Sequence, residues 1–149
     1  MVTTGCTKTE NDPQIRAFMD AVGLVTGGAP LKFRDLQSPE LMRYAGHFCI
    51  LRRDEATRTL TYILWAGELA ALYGKDLTNK EISEGDYGYA EDIFANLTHE
   101  VIDGQKPIYT SGSIDWDSRE HMNWWMVTLP MLSQRGDTPN EAMCCIFWD

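Results

Sequence analysis

The chain has no long apolar run and comparatively few basic residues. None of its apolar segments approaches the roughly 18 residues that a membrane-spanning helix needs, so no membrane span is predicted. Its 13 Lys and Arg residues are outnumbered by 22 Asp and Glu residues, which gives a formal net charge of −9. Most of such a surface repels a phosphate backbone. We therefore expect neither a membrane protein nor a nucleic-acid-binding protein.

Common motifs of active sites and metal centres are also missing. The sequence contains no HExxH, GxSxG or P-loop pattern, and its histidines, His47, His99 and His121, lie beyond helical reach of one another. The four cysteines do not have the spacing of a zinc site, because Cys144 and Cys145 are adjacent and would point to opposite faces of a strand. No catalytic residue and no metal site are predicted, so the chain is not expected to be an enzyme.

The cysteines also indicate the compartment. Four cysteines in a chain of this size do not form a disulfide framework. Cys49, Cys144 and Cys145 are predicted to be reduced residues that pack as small hydrophobes, which favours a cytoplasmic protein. Cys6 is predicted to be an exposed thiol on a flexible tail formed by residues 1–12. The Gly-Cys pair of that tail lacks the apolar segment of a lipoprotein signal.

The remaining residues, 13–149, are expected to form a single domain that begins with a helix. A chain of 149 residues with 44% hydrophobic content is long enough to bury a core. Asp12 can cap a helix, Pro13 suits its first turn and Gly27 can end it, which predicts a helix over residues 13–27. The apolar side of this helix needs a surface to cover, and it consists of Ile15, Phe18, Met19, Val22 and Val25.

The centre of the chain changes from a strand period to a helix period. Residues 60–65 are mostly apolar, aromatic or β-branched, whereas Leu69, Leu72 and Tyr73 recur at helical spacing until Gly74. The same criteria predict strands at 47–53, 107–115, 121–131 and 141–148, and the strongest helix at 89–102. The predicted order is strand, strand, short helices, long helix and three strands.

This central stretch resembles a signature of the PAS superfamily. The pattern Y-R-L-x-G-T-x-L…Y-G-x-D-L-T-G-K belongs to a PAS branch found mostly in alphaproteobacteria. The chain departs from it at Ile63, Ala66 and Asn79, where the branch has Arg, Gly and Gly. Two later segments, VIDGQKPIY and MVTLPML, also resemble PAS segments, so the likeness covers residues 31–149. The matching positions are Tyr62, Leu64, Glu68, Leu69, Tyr73, Gly74, Asp76, Leu77, Thr78 and Lys80.

The resemblance implies an α+β fold with a five-stranded antiparallel sheet, in which short helices and one long helix cover one face. The first strand then lies in the sheet centre beside the last strand. Both faces are apolar in sequence, because Trp124 and Met126 alternate with Trp125 and Val127. We expect the N-terminal helix or a partner to cover the outer face. One helix hides about half of such a face, which predicts a homodimer through this face or through swapped N-terminal helices.

The resemblance implies the function of a PAS-type sensor or regulatory domain. The interior between sheet and long helix suits a small organic ligand, and a signalling protein is a further possible partner. Alternation alone does not decide whether Trp124 or Trp125 faces this interior. The predicted ligand-binding residues are Tyr62, Leu64, Leu69, Tyr73, Ile93, Leu97, Trp124, Met126 and Cys144.

Two alternatives remain open. In the first, bulky side chains fill the interior and the domain only mediates contacts. In the second, the chain is a small enzyme with the cone-shaped α+β fold of nuclear transport factor 2 or the ketosteroid isomerases, in which a buried Asp or Tyr performs acid–base chemistry. The strand hairpin before the long helix argues against the enzyme. The strand order in the sheet distinguishes the two folds.

No cofactor is predicted, neither heme nor flavin. In PAS domains that hold heme through the long helix, the His lies about three turns before the terminal Gly, which is close to Ile93 here. His99 is only five residues before Gly104 and falls on the polar side of the helix. The Asn-Cys-Arg-Phe-Leu-Gln motif of the photosensory PAS branch is absent, and no cysteine lies between Cys49 and Cys144.

Overall fold

A computed structural model of the chain describes residues 2–5, 7–82, 89–116, 119–133 and 138–149. Within these ranges the strands are β1 (Val2–Thr4), β2 (Leu31–Lys32), β3 (Phe48–Arg53), β4 (Leu60–Trp65), β5 (Ile108–Trp116), β6 (Arg119–Leu132) and β7 (Glu141–Trp148). The α-helices are α1 (Thr7–Glu10), α2 (Pro13–Thr26), α3 (Pro39–Met42), α4 (Gly67–Tyr73) and α5 (Tyr89–Gly104), and 3-10 helices span Phe33–Gln37 and Ala45–His47. The five predicted strands and the predicted long helix are all present, with ends within two residues of those predicted.

The strands form one sheet in the order β1-β5-β6-β7-β3-β4. All neighbours along this path are antiparallel, and β2 adds a short parallel pairing to β6. The first long strand, β3, lies beside the last one, β7, as the PAS resemblance implies. The predicted α+β, PAS-like fold class is therefore confirmed, and the strand order disfavours the cone-shaped fold of the enzyme alternative.

The two faces of the sheet carry two separate apolar clusters. The inner cluster lies on the face that α5 covers, and the outer cluster lies on the face that α2 covers. On β6, Trp124 and Met126 belong to the inner cluster, whereas Trp125 and Val127 belong to the outer one. The buried members of the outer cluster are Ile15, Phe18, Leu31, Leu36, Leu41, Phe48, Ile50, Val127, Leu129, Met131, Met143, Cys145 and Phe147.

A bulge in the β3–β4 hairpin changes which residues face inward. Leu51 pairs with Tyr62, but the preceding residue Ile50 pairs with Leu64, so Ile63 is the extra residue. An extra residue reverses the alternation of faces along the strand. Tyr62 and Trp65 both belong to the inner cluster, whereas Leu64 packs against the outer cluster. The prediction that Leu64 lines the inner pocket does not hold, because the sequence does not reveal the bulge.

Helix α2 is capped at both ends by the residues from which the sequence predicts its bounds, Asp12 and Gly27. The Oδ2 atom of Asp12 accepts hydrogen bonds from the backbone N–H groups of Gln14 and Ile15, both at 3.0 Å. The same oxygen accepts a hydrogen bond from the indole Nε1–H of Trp125 at 3.1 Å, which joins the start of the helix to β6. Gly27 ends the helix in the left-handed conformation, with φ of 62°.

The outer face is covered more completely than the sequence predicts. The segment from β2 to the second 3-10 helix joins α2 on this face, with Leu31, Leu36 and Leu41 all buried. Among the described residues, the exposed large hydrophobic side chains are Leu24 and Met42. The homodimer prediction depends on an outer face that is half uncovered. In the described residues this face is covered, so it does not support the homodimer, which stays a prediction.

Two short elements stand where the sequence predicts a flexible tail. Strand β1 pairs antiparallel with β5, and the Gly5 N–H donates a hydrogen bond to the Tyr109 carbonyl at 2.8 Å. Helix α1 follows, with Thr9 buried. The physical reason is that the edge of β5 presents unpaired N–H and C=O groups, which an extended β-branched segment can satisfy. Cys6, the predicted exposed thiol, lies outside the described residues.

A buried carboxyl group lies at the start of β7. Glu141 is fully buried, and its Oε2 accepts a hydrogen bond from Arg52 Nε at 2.7 Å. Its Oε1 has no hydrogen-bond partner among the residues that the structure describes. Burial raises the pKa of Glu141, and the ion pair with Arg52 only partly opposes this rise.

We expect the substitution Glu141→Gln to change how stability depends on pH. Because the pKa of Glu141 is raised in the folded chain, this carboxyl stays protonated to a higher pH there than in the unfolded chain. The stability that the bound proton contributes is lost as the pH rises from the usual pKa of 4.5 through the raised pKa. Gln cannot titrate. The free energy of unfolding of the variant, relative to the wild type, should therefore increase with pH in urea titrations. A difference that stays constant across this window would contradict the assignment.

Candidate functional site

The candidate site is the interior between α5 and the inner face of the sheet. Residues from β3, β4, α4, α5, β6 and β7 meet there. The Phe94 ring of α5 lies 5.6 Å from the Trp124 ring of β6, centroid to centroid. The buried members of the inner cluster are Cys49, Leu51, Leu60, Tyr62, Trp65, Ala66, Leu69, Leu77, Ile82, Leu97, Val101, Ile102, Trp124, Met126, Ala142 and Cys144.

Seven of the nine predicted ligand-binding residues come together in this interior. Tyr73 packs against the inner cluster from α4, and six others are buried members of it: Tyr62, Leu69, Leu97, Trp124, Met126 and Cys144. Leu64 lies on the outer side, as described above. Ile93 is a half-buried position of α5. The structure thus decides the open choice between the two tryptophans, since Trp124 is the inner one.

Aromatic rings form one side of this interior. The Tyr62 and Trp65 rings on β4 are 5.3 Å apart at an interplanar angle of 74°. The Trp65 ring is in turn 5.9 Å from the Tyr73 ring of α4, at 69°. Such edge-to-face contacts are favourable ring arrangements. They hold α4 against the edge strand and leave a lining that is mainly apolar.

A row of small polar groups crosses the centre of the inner face. Thr128 of β6 pairs with Cys144 of β7, and Cys144 pairs with Cys49 of β3. The Thr128 Oγ1 atom lies 3.4 Å from the Cys144 Sγ atom, at hydrogen-bond distance for sulfur. On the same side, the buried hydroxyl of Thr110 has no partner among the described residues. Of these four residues, only Cys144 is predicted from the sequence to line the site. The alternation of faces within one strand does not reveal which residues lie opposite on the neighbouring strand.

The residues that carry the PAS resemblance close the interior at the edge of β4. Leu77 is buried in the inner cluster. The Thr78 hydroxyl donates a hydrogen bond to Asp76 Oδ1 at 2.6 Å and accepts one from the Trp65 backbone N–H at 3.2 Å. The hydroxyl bond, together with a bond of 2.9 Å that the Thr78 backbone N–H donates to the same oxygen, lowers the pKa of Asp76. Asn79 has a φ of 69°, a conformation that Asn tolerates better than most residues. The departure from Gly at this position therefore preserves the turn.

Charged side chains close the other end of the interior. Arg53 is buried, and its guanidinium donates hydrogen bonds to Glu55 at 2.7 Å and to Asp103 of α5 at 2.8 Å. Arg58 donates a further hydrogen bond to Asp103 at 3.3 Å. His99 Nδ1 lies 3.3 Å from Arg53 and 3.4 Å from Arg58. Because a guanidinium can only donate, this nitrogen is the acceptor and a neutral His99 carries its proton on Nε2.

The surroundings of His99 disfavour its charged form. Partial burial lowers its pKa most, followed by the charges of Arg58 and Arg53. Since the folded-state pKa is lower than that of the unfolded chain, the unfolded chain binds more protons between the two values. This contribution to stability therefore decreases as the pH falls below 6.5, the ordinary value for His.

The substitution Arg58→Met is expected to raise the pKa of His99 toward its ordinary value. It removes the larger of the two charge effects on His99 while leaving the inner cluster in place. The pKa is measured by NMR titration of the imidazole protons, with His99→Gln as the assignment control. Arg52→Met is the matched control, because Arg52 pairs with Glu141 on the other side of β3. An equal rise in both Arg variants, or no rise in Arg58→Met, would contradict the described geometry.

An open cleft of about 490 Å³ lies on the outer side, between α1 and the β5–β6 hairpin. Its lining combines Lys8 with the acidic residues Asp12 and Asp149, beside Ser111, Ser113, Asn123 and Trp125. Asp12 and Trp125 are already engaged with each other in capping α2. The cleft therefore carries charges of both signs.

The described part of the chain has no group of metal ligands and no helix that could span a membrane. No three His, Cys, Asp or Glu side chains in residues 2–5, 7–82, 89–116, 119–133 and 138–149 are grouped so that they could hold a metal ion. Over the same ranges, none of the helices has both the length and the apolar character needed to traverse a bilayer.

Comparisons with known proteins give likenesses of structure only. No family model matches the sequence, and no curated protein matches it either. The chain is similar to the PAS domain of the histidine kinase ThkA, with 9% identity over 66% of this chain and 96% of that one, at a TM-score of 0.47. A selenomethionine variant of that domain gives 9% identity, coverage of 67% and 97%, and a TM-score of 0.45. The chain is also similar to a fungal LOV domain photoreceptor, with 8% identity over 87% of this chain and 90% of that one, at a TM-score of 0.46. Because these identities and TM-scores are so low, function has to be inferred from this chain's own residues.

Proposed function

We propose that the chain is a non-enzymatic, PAS-type sensor or regulatory domain that binds a small organic molecule between α5 and the inner face of the sheet. The observation that supports this proposal is the convergence of seven predicted lining residues, from β4, α4, α5, β6 and β7, on one interior. An apolar interior with a few polar groups is the usual form of a small-molecule site. The three described cysteines are free thiols, which fits the predicted cytoplasmic setting.

The lining favours a neutral and mainly apolar ligand. The buried members of the inner cluster carry no formal charge, and the nearby Arg53 is already paired with Glu55 and Asp103. The buried Thr110 hydroxyl, which has no partner among the described residues, and the buried Thr128 hydroxyl beside Cys144 supply the polar groups on the inner face of the sheet. A molecule with aromatic or aliphatic bulk and one or two hydrogen-bonding groups matches this combination.

Signal output then depends on contacts outside the interior. Helix α5 is joined to the β3–β4 hairpin by the ion pair of Arg53 with Asp103. A ligand that fits one arrangement of α5 better than another shifts the population toward that arrangement. The change is passed to a signalling protein or to a second copy of the chain, which remain the proposed partners.

Native mass spectrometry with a matched pair of variants tests the proposal. The protein is examined as purified and after incubation with indole as an aromatic probe, together with an absorbance scan for a retained chromophore. Cys144→Leu adds bulk inside the interior, whereas Cys145→Leu adds the same bulk to the neighbouring residue on the outer face. Each substitution overpacks a buried site and should lower stability by about 1–3 kcal/mol, so the pair is matched in that respect.

The expected result is a non-covalent adduct that Cys145→Leu keeps and that Cys144→Leu weakens at least about tenfold, which is about 1.4 kcal/mol of binding. Equal loss in both variants would contradict binding in the interior. A visible chromophore would overturn the prediction that no cofactor is present.

A second candidate function follows from the aromatic contacts in the interior. The Tyr62, Trp65 and Tyr73 rings already pack against one another, and Phe94 packs against Trp124. Side chains of this size can fill the space themselves, in which case the domain only mediates protein contacts. Absence of any adduct in the wild type, together with unchanged stability in the presence of indole, would favour this second function.

A further inference from the structure

Cys49 and Cys144 occupy directly opposite positions on neighbouring antiparallel strands. Cys49 of β3 and Cys144 of β7 are register partners at the centre of the sheet, and both side chains belong to the inner cluster. Opposite residues in an antiparallel pair have Cα atoms about 4.5–5.5 Å apart. This separation falls inside the range of about 4.4–6.8 Å that disulfides span. The backbone therefore needs no displacement to bring the two sulfur atoms within bonding reach.

The two thiols differ in their surroundings. The Cys144 sulfur lies 3.4 Å from the Thr128 hydroxyl, at hydrogen-bond distance for sulfur, and Cys49 is its partner across the strands. The neighbouring Cys49 thiol and the Thr128 hydroxyl lower the pKa of Cys144, while burial raises the pKa of Cys49. Cys144 is therefore the more readily deprotonated of the pair and suits the role of the attacking cysteine, while Cys49 suits that of the resolving cysteine.

We propose that Cys49 and Cys144 are a site of reversible oxidation, at which a peroxide converts the two thiols into a cross-strand disulfide inside the domain. The oxidant is hydrogen peroxide. Both cysteines are almost fully buried, at 3% and 5% exposure, so the oxidant reaches them during local opening of the interior. Oxidation is therefore slow compared with that of an exposed thiol.

The two thiols and one hydrogen peroxide are the only reactants. The Cys144 thiolate attacks one peroxide oxygen, the O–O bond breaks, and the leaving hydroxide takes up the displaced proton as water. Cys144 is then a sulfenic acid, oxidised by two electrons. The Cys49 sulfur attacks the sulfenic sulfur, the S–O bond breaks, and the hydroxyl leaves as a second water with the Cys49 proton. One peroxide is reduced to two waters and two thiols become one disulfide.

Cys145 provides an internal control. It is adjacent to Cys144 and fully buried, but it belongs to the outer cluster and pairs with Phe48 across the strands. Burial raises its pKa. Its side chain points away from Cys49, so it cannot form the bridge without a change of strand register.

The test is peptide mapping of the full chain after peroxide treatment, with the peroxide removed and free thiols alkylated in denaturant, so that buried thiols are blocked as the chain unfolds. Because no protease separates Cys144 from Cys145, mapping is done on Cys145→Ala and Cys144→Ala, and the wild type is analysed by fragmentation between the two residues. We expect the intact mass of the protein to fall by that of two hydrogen atoms and to be fully restored by dithiothreitol. The Cys144 peptide should be linked to the Cys49 peptide in the wild type and in Cys145→Ala. This linkage should be completely lost in Cys144→Ala.

Three results would overturn the proposal. The first is recovery of the wild-type Cys49 and Cys144 peptides unlinked, whether unmodified or carrying added oxygen. The second is a linkage of Cys49 to Cys145. The third is a linkage that survives in Cys144→Ala. The wild-type map decides the matter even if one of the Ala variants fails to fold.

Discussion

Replacing Phe18 by Ala is expected to lower the free energy of unfolding by about 3–5 kcal/mol, the range for removing a buried aromatic side chain. Phe18 of α2 is fully buried in the outer cluster. Its ring centroid lies 6.1 Å from that of Phe48 on β3 and 5.2 Å from that of Tyr44. The loss should be this large only if α2 is part of the core. Urea unfolding followed by circular dichroism measures it.

Leu24→Ala is the control on the same helix. Leu24 is 74% exposed, so its truncation should change the free energy of unfolding by no more than about 0.5 kcal/mol. Repeating the titrations at several protein concentrations separates two ways of covering the sheet. A helix that covers its own sheet gives midpoints independent of concentration, whereas helices swapped between two chains give midpoints that rise with it. Equal effects of both substitutions would contradict the position of α2.

Replacing Leu97 by Ala should destabilise the domain by about 2–5 kcal/mol, as expected for a buried leucine. Leu97 is 4% exposed and lies among the buried inner-cluster residues of α5, with Val101 one turn further along. If α5 rests on the inner face, truncation leaves a cavity bordered by the sheet. The same unfolding experiment measures the loss.

Glu100→Ala is the matched control for this second prediction. Glu100 is an exposed position of the same helix, so its replacement should stay within about 0.5 kcal/mol of the wild type. Ala also has a helix propensity at least as high as that of Glu. A loss in Glu100→Ala that matches the one in Leu97→Ala would mean that α5 presents a different side to the sheet.

Element type and order could be predicted because each long element has a clear period. The bounds of β4 and β7 match the prediction, and the start of α5 at Tyr89 does as well. The cap residues Asp12 and Gly74 also act as predicted. These features depend on nearby residues, whose spacing is visible in the sequence.

The candidate site was predicted less completely, because it depends on how separate strands are aligned. The bulge at Ile63 moves Leu64 to the outer side, and a one-residue slip of this kind leaves no trace in hydrophobic alternation. The pairing of Cys49 with Cys144 and of Cys144 with Thr128 depends on the register of β3, β6 and β7, of which β3 is far from the other two in the chain. The pairing of β1 with β5 likewise joins distant segments.

The most direct test of the central claim is a set of NMR contacts between aromatic rings. The domain is a sheet with α5 on its inner face, enclosing the candidate site, and α2 on its outer face. Nuclear Overhauser effects are predicted between the Phe94 ring and the Trp124 indole, and between the Phe18 and Phe48 rings, whose centroids lie 5.6 Å and 6.1 Å apart. Contacts from Phe94 to Trp125 in place of Trp124 would contradict the account, because they would put α5 on the opposite face.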